Sequence, residues 1–398
     1  MDSHDERTLR NAMTAHSAGR LTEAKAGYQR VLRGRPTDPH ALYGLGLLSF
    51  HAGAVDTAIE YVARCVKHAP RNSRAWITLG SMYMAAGNTA SAKNAYQRAT
   101  EVAPELSDGW YNLGICLRGE GDLDGAIARL RKATQCTPPN SLAHDALASL
   151  LYQQGQMREA AAVFVNWANL DPENPKALHM AAAASGRDPP SRASDGYVRA
   201  HFDAAATGFD RNLEQLRYLA PQFVATALRD SAAETVLPAV LDAGCGTGLC
   251  GPVLRPLCRT LVGVDLSPKM LAYAGARNCY DELVTAELSA FMRSRVESFD
   301  AVICVDTFVY FGALEEPLGA AHAALRGAGL LIFTVEALSD NDVSDFRLDL
   351  SGRYAHSEGY LRRALNTSGF NVESISPETL REEHSEGVVG YVVVARRS

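Results

Sequence analysis

No CxxC pair occurs among the eight cysteines (Cys65, Cys116, Cys136, Cys245, Cys250, Cys258, Cys279 and Cys304), and no histidine stands beside the only close pair, Cys245 and Cys250. A clustered metal site and a disulfide framework are therefore not expected, and the thiols read as reduced, structural groups. Cys304 inside AVICVD is a small hydrophobe of this kind. Nowhere do about 18 apolar residues run uninterrupted, so no membrane-spanning helix is expected. The opening MDSHDERTLR lacks the basic start and apolar run of a secretory leader. With no address to read, the expected compartment is the cytoplasm. Charge of one sign is lacking too: 39 Lys and Arg stand against 45 Asp and Glu, a net −6. Residues 1–186 carry 19 basic and 17 acidic side chains, whereas the remainder carries 20 and 28. Neither half has the basic footprint of a nucleic-acid enzyme, so neither nucleic acid nor membrane is an expected partner.

What is present is enough core for more than one domain: 398 residues, 47% hydrophobic and 21% charged. The first half repeats. Glycines recur every 34 residues at 19, 53, 87, 121 and 155, and prolines at 36, 70, 104, 138 and 172. Alanines keep the register at 24, 58, 92, 126 and 160, each followed four positions later by Tyr28, Val62, Tyr96, Leu130 or Phe164. The glycine permits the positive φ between two helices, and the alanine allows close helix approach beside a large apolar neighbour. The proline ends the second helix. Ala75, Trp76, Leu79, Gly80 and Tyr83 fit the first helix of such a unit, and Trp110, Leu113 and Gly114 repeat it.

These columns resemble the tetratricopeptide repeat family over about residues 7–186, and the resemblance implies an all-α superhelix with a concave face. Such a groove is expected to dock an acceptor, a protein or peptide partner, or else to dimerise the chain or brace the second domain. Residues 185–196, SGRDPPSRASDG, read as a linker. The expected domains are thus 1–186, a linker at 187–196, and 197–398.

In the second half, short apolar runs at 236–244, 260–266, 281–287, 299–306 and 330–336 alternate with helical stretches at 267–278 and 314–326. That pattern predicts an α/β Rossmann-like domain with a mostly parallel sheet, closed by an antiparallel hairpin at 370–376 and 390–397. Ligands of such sheets lie at the carboxyl ends of the strands. The first strand runs into Asp242, Ala243, Gly244, Cys245, Gly246, Thr247 and Gly248. Gly246 to Gly251 also spells the dinucleotide pattern GxGxxG. Charge separates the two: Asp242 would repel a pyrophosphate, but favours the sulfonium and ammonium of S-adenosylmethionine. Asp265 closes the second strand, where a carboxylate accepts ribose hydroxyls, with Leu266 beside it. Glu287 closes the third, followed by Leu288, where an acid meets an adenine amino group. A purely structural role for these acids and an NAD site remain the alternatives.

The segment resembles class I S-adenosylmethionine-dependent methyltransferases, and the chain as a whole resembles bacterial predicted methyltransferases with tetratricopeptide repeats. The likeness rests on the glycine loop, HFDAAATGFDRNLEQLRY (201–218), VDTFVYFGAL (305–314) and SGRYAHSEGYLRRAL (351–365). It implies a helix lidding the cofactor with Phe202, Phe209 and Asp210, and S-adenosylhomocysteine as the product.

Methyl transfer needs an aligned nucleophile and exclusion of water, and a base only where the acceptor's proton must leave early. The Asn-Pro-Pro-Tyr or Asp-Pro-Pro-Tyr signature is absent past the fourth strand, where Asp306, Thr307 and Tyr310 stand. Asp306 either faces the sulfonium or acceptor or caps a turn; Tyr310 is a catalytic, cofactor-wall or packing residue. Ser357 reads as the N-cap of a helix from Glu358, leaving His356 on the preceding loop as a base or a structural group. Arg353 and Arg381 either bind an acceptor carboxylate or pair with nearby acids. His384 reads as a solvated loop residue. The expected reaction is methylation of O or N on a small-molecule or peptide- or carrier-linked acceptor, the alternative being a non-catalytic adaptor.

Overall fold

The computed structural model describes residues 4–186, 189–232, 236–339, 342–383 and 386–398. By its contacts the chain divides into two compact units, Met1–Asp171 and Pro172–Ser398.

The first unit is helical throughout its described residues. Five helix pairs follow in order: α1 (His4–Ser17) and α2 (Leu21–Gly34), α3 (Pro39–His51) and α4 (Val55–His68), α5 (Ser73–Ala85) and α6 (Thr89–Val102), α7 (Ser107–Gly119) and α8 (Leu123–Thr134), α9 (Ser141–Gln153) and α10 (Met157–Leu170). The glycine column turns each pair, with φ between +71° and +84° at all five positions. The alanine column is fully buried, and so in effect are Tyr28, Val62, Tyr96, Leu130 and Phe164. Helical glycines make room for four of them: a Cβ at Gly80, for example, would stand 2.5 Å from the Tyr96 ring, and one at Gly114 would stand 2.8 Å from Leu130. Asp38, Asn72 and Asn140 cap the first helix of their repeats through the amides of Ala41, Ala75 and Ala143. Trp76 and Trp110 donate their indole N–H to the carbonyls of Pro70 and Pro104, tying the helix to the proline column.

The second unit opens with α11 (Pro175–Ser185), which the repeat pattern assigns to the first half. His179 on α11 is buried, stacks on Tyr197 with ring centroids 4.1 Å apart, and hydrogen-bonds the Gly352 carbonyl at 2.9 Å. Arg187 and Asp188 of the expected linker lie outside the described residues. The stretch after them is tied down, because the Tyr354 hydroxyl donates to the Pro190 carbonyl and the Ala193 amide to that of Tyr310.

Helices α12 (Asp195–Ala205), α13 (Phe209–Gln215) and α14 (Ala220–Ser231) precede a nine-stranded sheet. Its first five strands are β1 (Leu237–Ala243), β2 (Cys258–Asp265), β3 (Glu282–Thr285), β4 (Phe299–Cys304) and β5 (Leu325–Ala337). They run parallel in the order β3-β2-β1-β4-β5. The connecting helices are α15 (Gly251–Leu254), α16 (Pro268–Ala276), α17 (Leu288–Ser294) and α18 (Glu315–Ala324). Both faces are covered: Val240, Leu261, Ile303 and Ile332 pack into one core, and Leu241, Val262, Val302 and Leu331 into the other. Alternation along each strand thus decides which way every side chain points.

Short strands β6 (Phe346–Leu348) and β7 (Tyr354–His356) extend the sheet past β5, and α19 (Glu358–Thr367) follows with Ser357 as its N-cap. The closing hairpin is antiparallel, β8 (Phe370–Glu383) on β9 (Glu386–Arg397), with β9 paired to β5. His384 lies outside the described residues. No helix among the described residues is long and apolar enough to cross a membrane.

Candidate active site

A cavity of about 1180 Å³, its open mouth included, lies at the carboxyl ends of β1, β2 and β4, with α12 and α13 on its far wall.

The glycine loop forms one side. Gly244, Gly246 and Gly248 all adopt positive φ (80°, 54° and 81°), which side-chain-bearing residues resist. The amides of Gly244 and Cys245 both donate to the Val264 carbonyl, binding the loop to the end of β2. A Cβ on Gly244 would strike Thr307 Oγ1 at 2.1 Å, whereas one on Gly246 would meet nothing within 4 Å. Gly246 is therefore where backbone stands open to a ligand.

Asp265 ends β2 with its carboxylate fixed: Oδ2 accepts from the Gly246 amide at 2.9 Å and Oδ1 from the Ser267 amide at 2.8 Å. Burial raises its pKa despite these bonds. Glu287 caps α17 through the amides of Ser289 and Ala290, and Arg192 Nη1 donates to it at 3.1 Å. Both acids line the cavity with Leu266, Leu288, Cys245 and Phe209. Phe202 meets Phe209 and Tyr310 edge to face, with centroids 5.9 and 5.4 Å apart. Asp210 accepts from Thr247 Oγ1 at 2.5 Å and pairs with Arg277, which also donates to the Thr247 carbonyl at 2.7 Å. That latch joins α13 to the glycine loop.

Past β4, Asp306 takes the left-handed conformation (φ 48°), a costly state for a non-glycine residue that clusters at functional sites. Thr334 holds it there, accepting from the Asp306 amide and donating to Oδ1, both at 2.8 Å. Tyr218, Tyr310 and Arg353 share this end of the cavity. Behind them Arg381, fully buried, is paired with Glu383 (2.6 Å) and Glu336, and its Nη1 lies 3.6 Å from Asp306 Oδ2. Arg353 reaches Glu383 at 3.0 Å and Glu336 at 3.4 Å. Both arginines are thus engaged by carboxylates of their own chain.

Eleven expected site residues line the cavity: Phe209, Gly244, Cys245, Gly246, Asp265, Leu266, Glu287, Leu288, Asp306, Tyr310 and Arg353. Four do not. Gly248 turns the loop beneath the cavity, and Arg381 stands behind Asp306. Asp242 shares the strand face of Val240, so alternation turns it away from the cavity toward Tyr280, whose hydroxyl donates to Oδ2 at 2.6 Å. Burial pushes that carboxyl up to about 7. His356 corrects the expectation of a loop base. It belongs to β7, whose pairing with β5 and β6 buries it; Nε2 hydrogen-bonds the Gly312 carbonyl at 3.1 Å, and burial lowers its pKa to about 4. Sequence reasoning missed Tyr280, Arg192, Tyr218 and the Thr247–Arg277 contacts. No spacing rule marks them, since each reaches the site across strands or from the preceding helices.

An open parallel sheet with a glycine loop and acids at successive strand ends is a Rossmann-like arrangement consistent with a methyltransferase domain, and it follows a tetratricopeptide-like repeat array in the sequence. Residues 241–333 match the family described as methyltransferase domain. Residues 4–248 match the family described as cilia and flagella-associated protein 70 C-terminal domain. That second match takes in more than half of the chain, and the chain belongs to this family. Among curated proteins, nodulation protein S of Bradyrhizobium diazoefficiens is 27% identical over 149 residues, covering 37% of this chain and 64% of that protein. The 18S rRNA (guanine(1575)-N(7))-methyltransferase of Saccharomyces cerevisiae is 27% identical over 118 residues, 27% of this chain and 43% of that one. The chain thus spans less than two thirds of the length of the curated relatives it matches. Among solved structures, MamA protein (23% identical, TM-score 0.39) covers 44% of this chain and 96% of its own. A candidate S-adenosylmethionine dependent methyltransferase from Listeria monocytogenes (16% identical, TM-score 0.36) likewise covers 44% and 96%. The chain thus joins a segment similar to methyltransferase domains to an array similar to tetratricopeptide repeats.

Proposed function

We propose that the chain is an S-adenosylmethionine-dependent methyltransferase acting on oxygen or nitrogen of a small-molecule, peptide or carrier-linked acceptor. The repeat array docks the acceptor, a partner protein or a second subunit in this reading. The observation that carries it is the Asp265 carboxylate, locked by two amides beside the unobstructed backbone of Gly246 and lining the cavity. A carboxylate so placed suits the ribose hydroxyls of a nucleoside. A dinucleotide would also want a helix N-terminus at its pyrophosphate, and α15 has only four residues to offer.

Asp265 would hold the ribose, Leu266 and Leu288 the faces of the adenine, and Phe209 the mouth. When bound, S-adenosylmethionine supplies an electrophilic methyl group on a sulfonium, a leaving group that needs no protonation. Tyr310, Tyr218 and Phe202 wall the reaction from water, which strengthens every charge interaction inside. Asp306 is the carboxylate we assign to the transferring end, where it takes the acceptor's proton while Thr334 fixes its orientation. The net −8 of the chain after residue 186 weighs against an RNA acceptor.

Calorimetric titration of S-adenosylmethionine, S-adenosylhomocysteine and NAD into the purified chain tests the reading. Micromolar binding of the first two with none of NAD is expected. Binding of neither sulfur nucleoside would overturn it.

A further inference from the structure

Asp242 is not at the cavity, yet it is buried, and its single close side-chain partner is a tyrosine from the loop between α16 and β3. The ring of that tyrosine, Tyr280, is wedged among three glycines. A Cβ at Gly248, Gly251 or Gly263 would each come within about 3.0 Å of ring atoms. Gly248 closes the glycine loop, Gly251 opens α15, and Gly263 lies in β2 next to the strand that feeds the loop. One side chain thus touches the end of the loop, the helix after it and the neighbouring strand, while its hydroxyl reaches the residue two positions before Gly244. From the opposite side the loop is held by Asp265 Oδ2 on the Gly246 amide.

We propose that Tyr280 is a positioning residue for the cofactor loop: its ring, seated in the three-glycine cradle, and its hydrogen bond to Asp242 together hold Gly244–Gly248 in the left-handed geometry that opens Gly246 to the ligand. This rests on the cofactor reading above. The loop needs such support because three positive-φ glycines have more freedom to lose than any other residues. The ring is one of the groups that leave no room for a Cβ at Gly251, beside Cys279, and at Gly263, where Leu283 is closer still at 2.7 Å. The groups facing Asp242 are Tyr280, Asp265 from β2, Cys245 and Cys250 from the loop, and Cys304 from β4. Burial pushes all three thiols up, so they stay neutral and Tyr280 is the donor that stabilises the ionised carboxylate.

The test uses the full chain and Tyr280→Phe, which keeps the ring and removes the hydroxyl. S-adenosylhomocysteine affinity, measured by calorimetry at a temperature where both proteins are folded, should fall about tenfold, as for loss of one bond to a charged group. The pH at which S-adenosylmethionine affinity changes, near 7 in the wild type where Asp242 titrates, should move higher in Tyr280→Phe. In the ligand-free chain, amide hydrogen exchange across Cys245–Gly248 should quicken while β4 and β5 keep their protection. Wild-type affinity with an unmoved pH profile would overturn the proposal, as would exchange quickened evenly through the sheet, which marks general destabilisation. If the wild type itself binds no S-adenosyl nucleoside, the cofactor reading falls and exchange alone decides: quickening confined to the loop upholds Tyr280 as its support, and unchanged exchange refutes it. Should Tyr280→Phe fold poorly, Gly251→Ala, which crowds the same ring together with Cys279, is expected to give the same local quickening.

Discussion

Replacing Asp242 by asparagine should stabilise the second unit at alkaline pH, although it removes a charged group from beside the cofactor loop. Burial raises the Asp242 pKa from 3.8 to about 7, so between those values the fold holds a proton that the unfolded chain has released. Stability contributed by this group is therefore fully present below about pH 4 and is lost as pH rises to 7. The difference of roughly three pKa units corresponds to about 4 kcal/mol at pH 8, at 1.36 kcal/mol per unit. Asparagine keeps an acceptor for the Tyr280 hydroxyl and never ionises. Some of the gain is offset because its amide N–H₂ needs a partner of its own in the same buried site. At roughly 2–4 °C per kcal/mol for a unit of this size, a rise of at least about 5 °C in the melting transition of the second unit is expected at pH 8, with a clearly smaller one at pH 5. Scanning calorimetry of wild type and variant at both pH values measures it. Equal shifts at both, or destabilisation at pH 8, would refute the assignment of the cost to Asp242.

His356 carries the opposite sign. Its pKa is lowered from 6.5 to about 4, so stability falls as pH drops through that window, by about 3 kcal/mol for this group, and His356→Gln should flatten the acid limb of the pH–stability curve. Asp265→Ala should weaken S-adenosylhomocysteine binding by about 1–3 kcal/mol through loss of charge-assisted hydrogen bonds; unchanged affinity in calorimetry would remove it from the site. Gly80→Ala puts a methyl group 2.5 Å from the Tyr96 ring and should destabilise the first unit by roughly 1–3 kcal/mol, read as an earlier melting transition of that unit alone. Deleting residues 1–171 should spare the melting temperature of the second unit. Deleting 1–186 should lower it by several degrees, because α11 goes and leaves the Gly352 carbonyl without His179 and Tyr354 without Ala183.

The repeat array was legible because each of its columns answers a local demand at a fixed period. A positive φ between helices admits glycine at five positions and close approach admits alanine at five, so the residues announce their own geometry. Strands β1, β2, β4 and β5 were legible for a similar reason, since doubly buried parallel strands need continuous apolar runs. The short β6 and β7 carry no such run. They are strands only because β5 extends to Ala337 and offers its edge, and a three-residue stretch such as Tyr354–His356 has no period from which pairing can be read.

That limit is also what misplaced the chemistry of Asp242 and His356. Reading an acid or a histidine next to a motif assigns it to the motif's ligand, but the direction of a side chain depends on which strand face it occupies and on what the opposite layer supplies. Asp242 alternates with Leu241 and Ala243, and the layer it meets contains Tyr280, 38 residues later in sequence. Asp265 lines the cavity because it ends its strand, where the backbone turns and alternation no longer decides. Asp306 is the intermediate case: the motif located it past β4, but its left-handed conformation and the clasp of Thr334 depend on β5. Strand-end acids can therefore be read from sequence as cavity-facing, whereas an acid within a strand calls for the identity of the residue across from it.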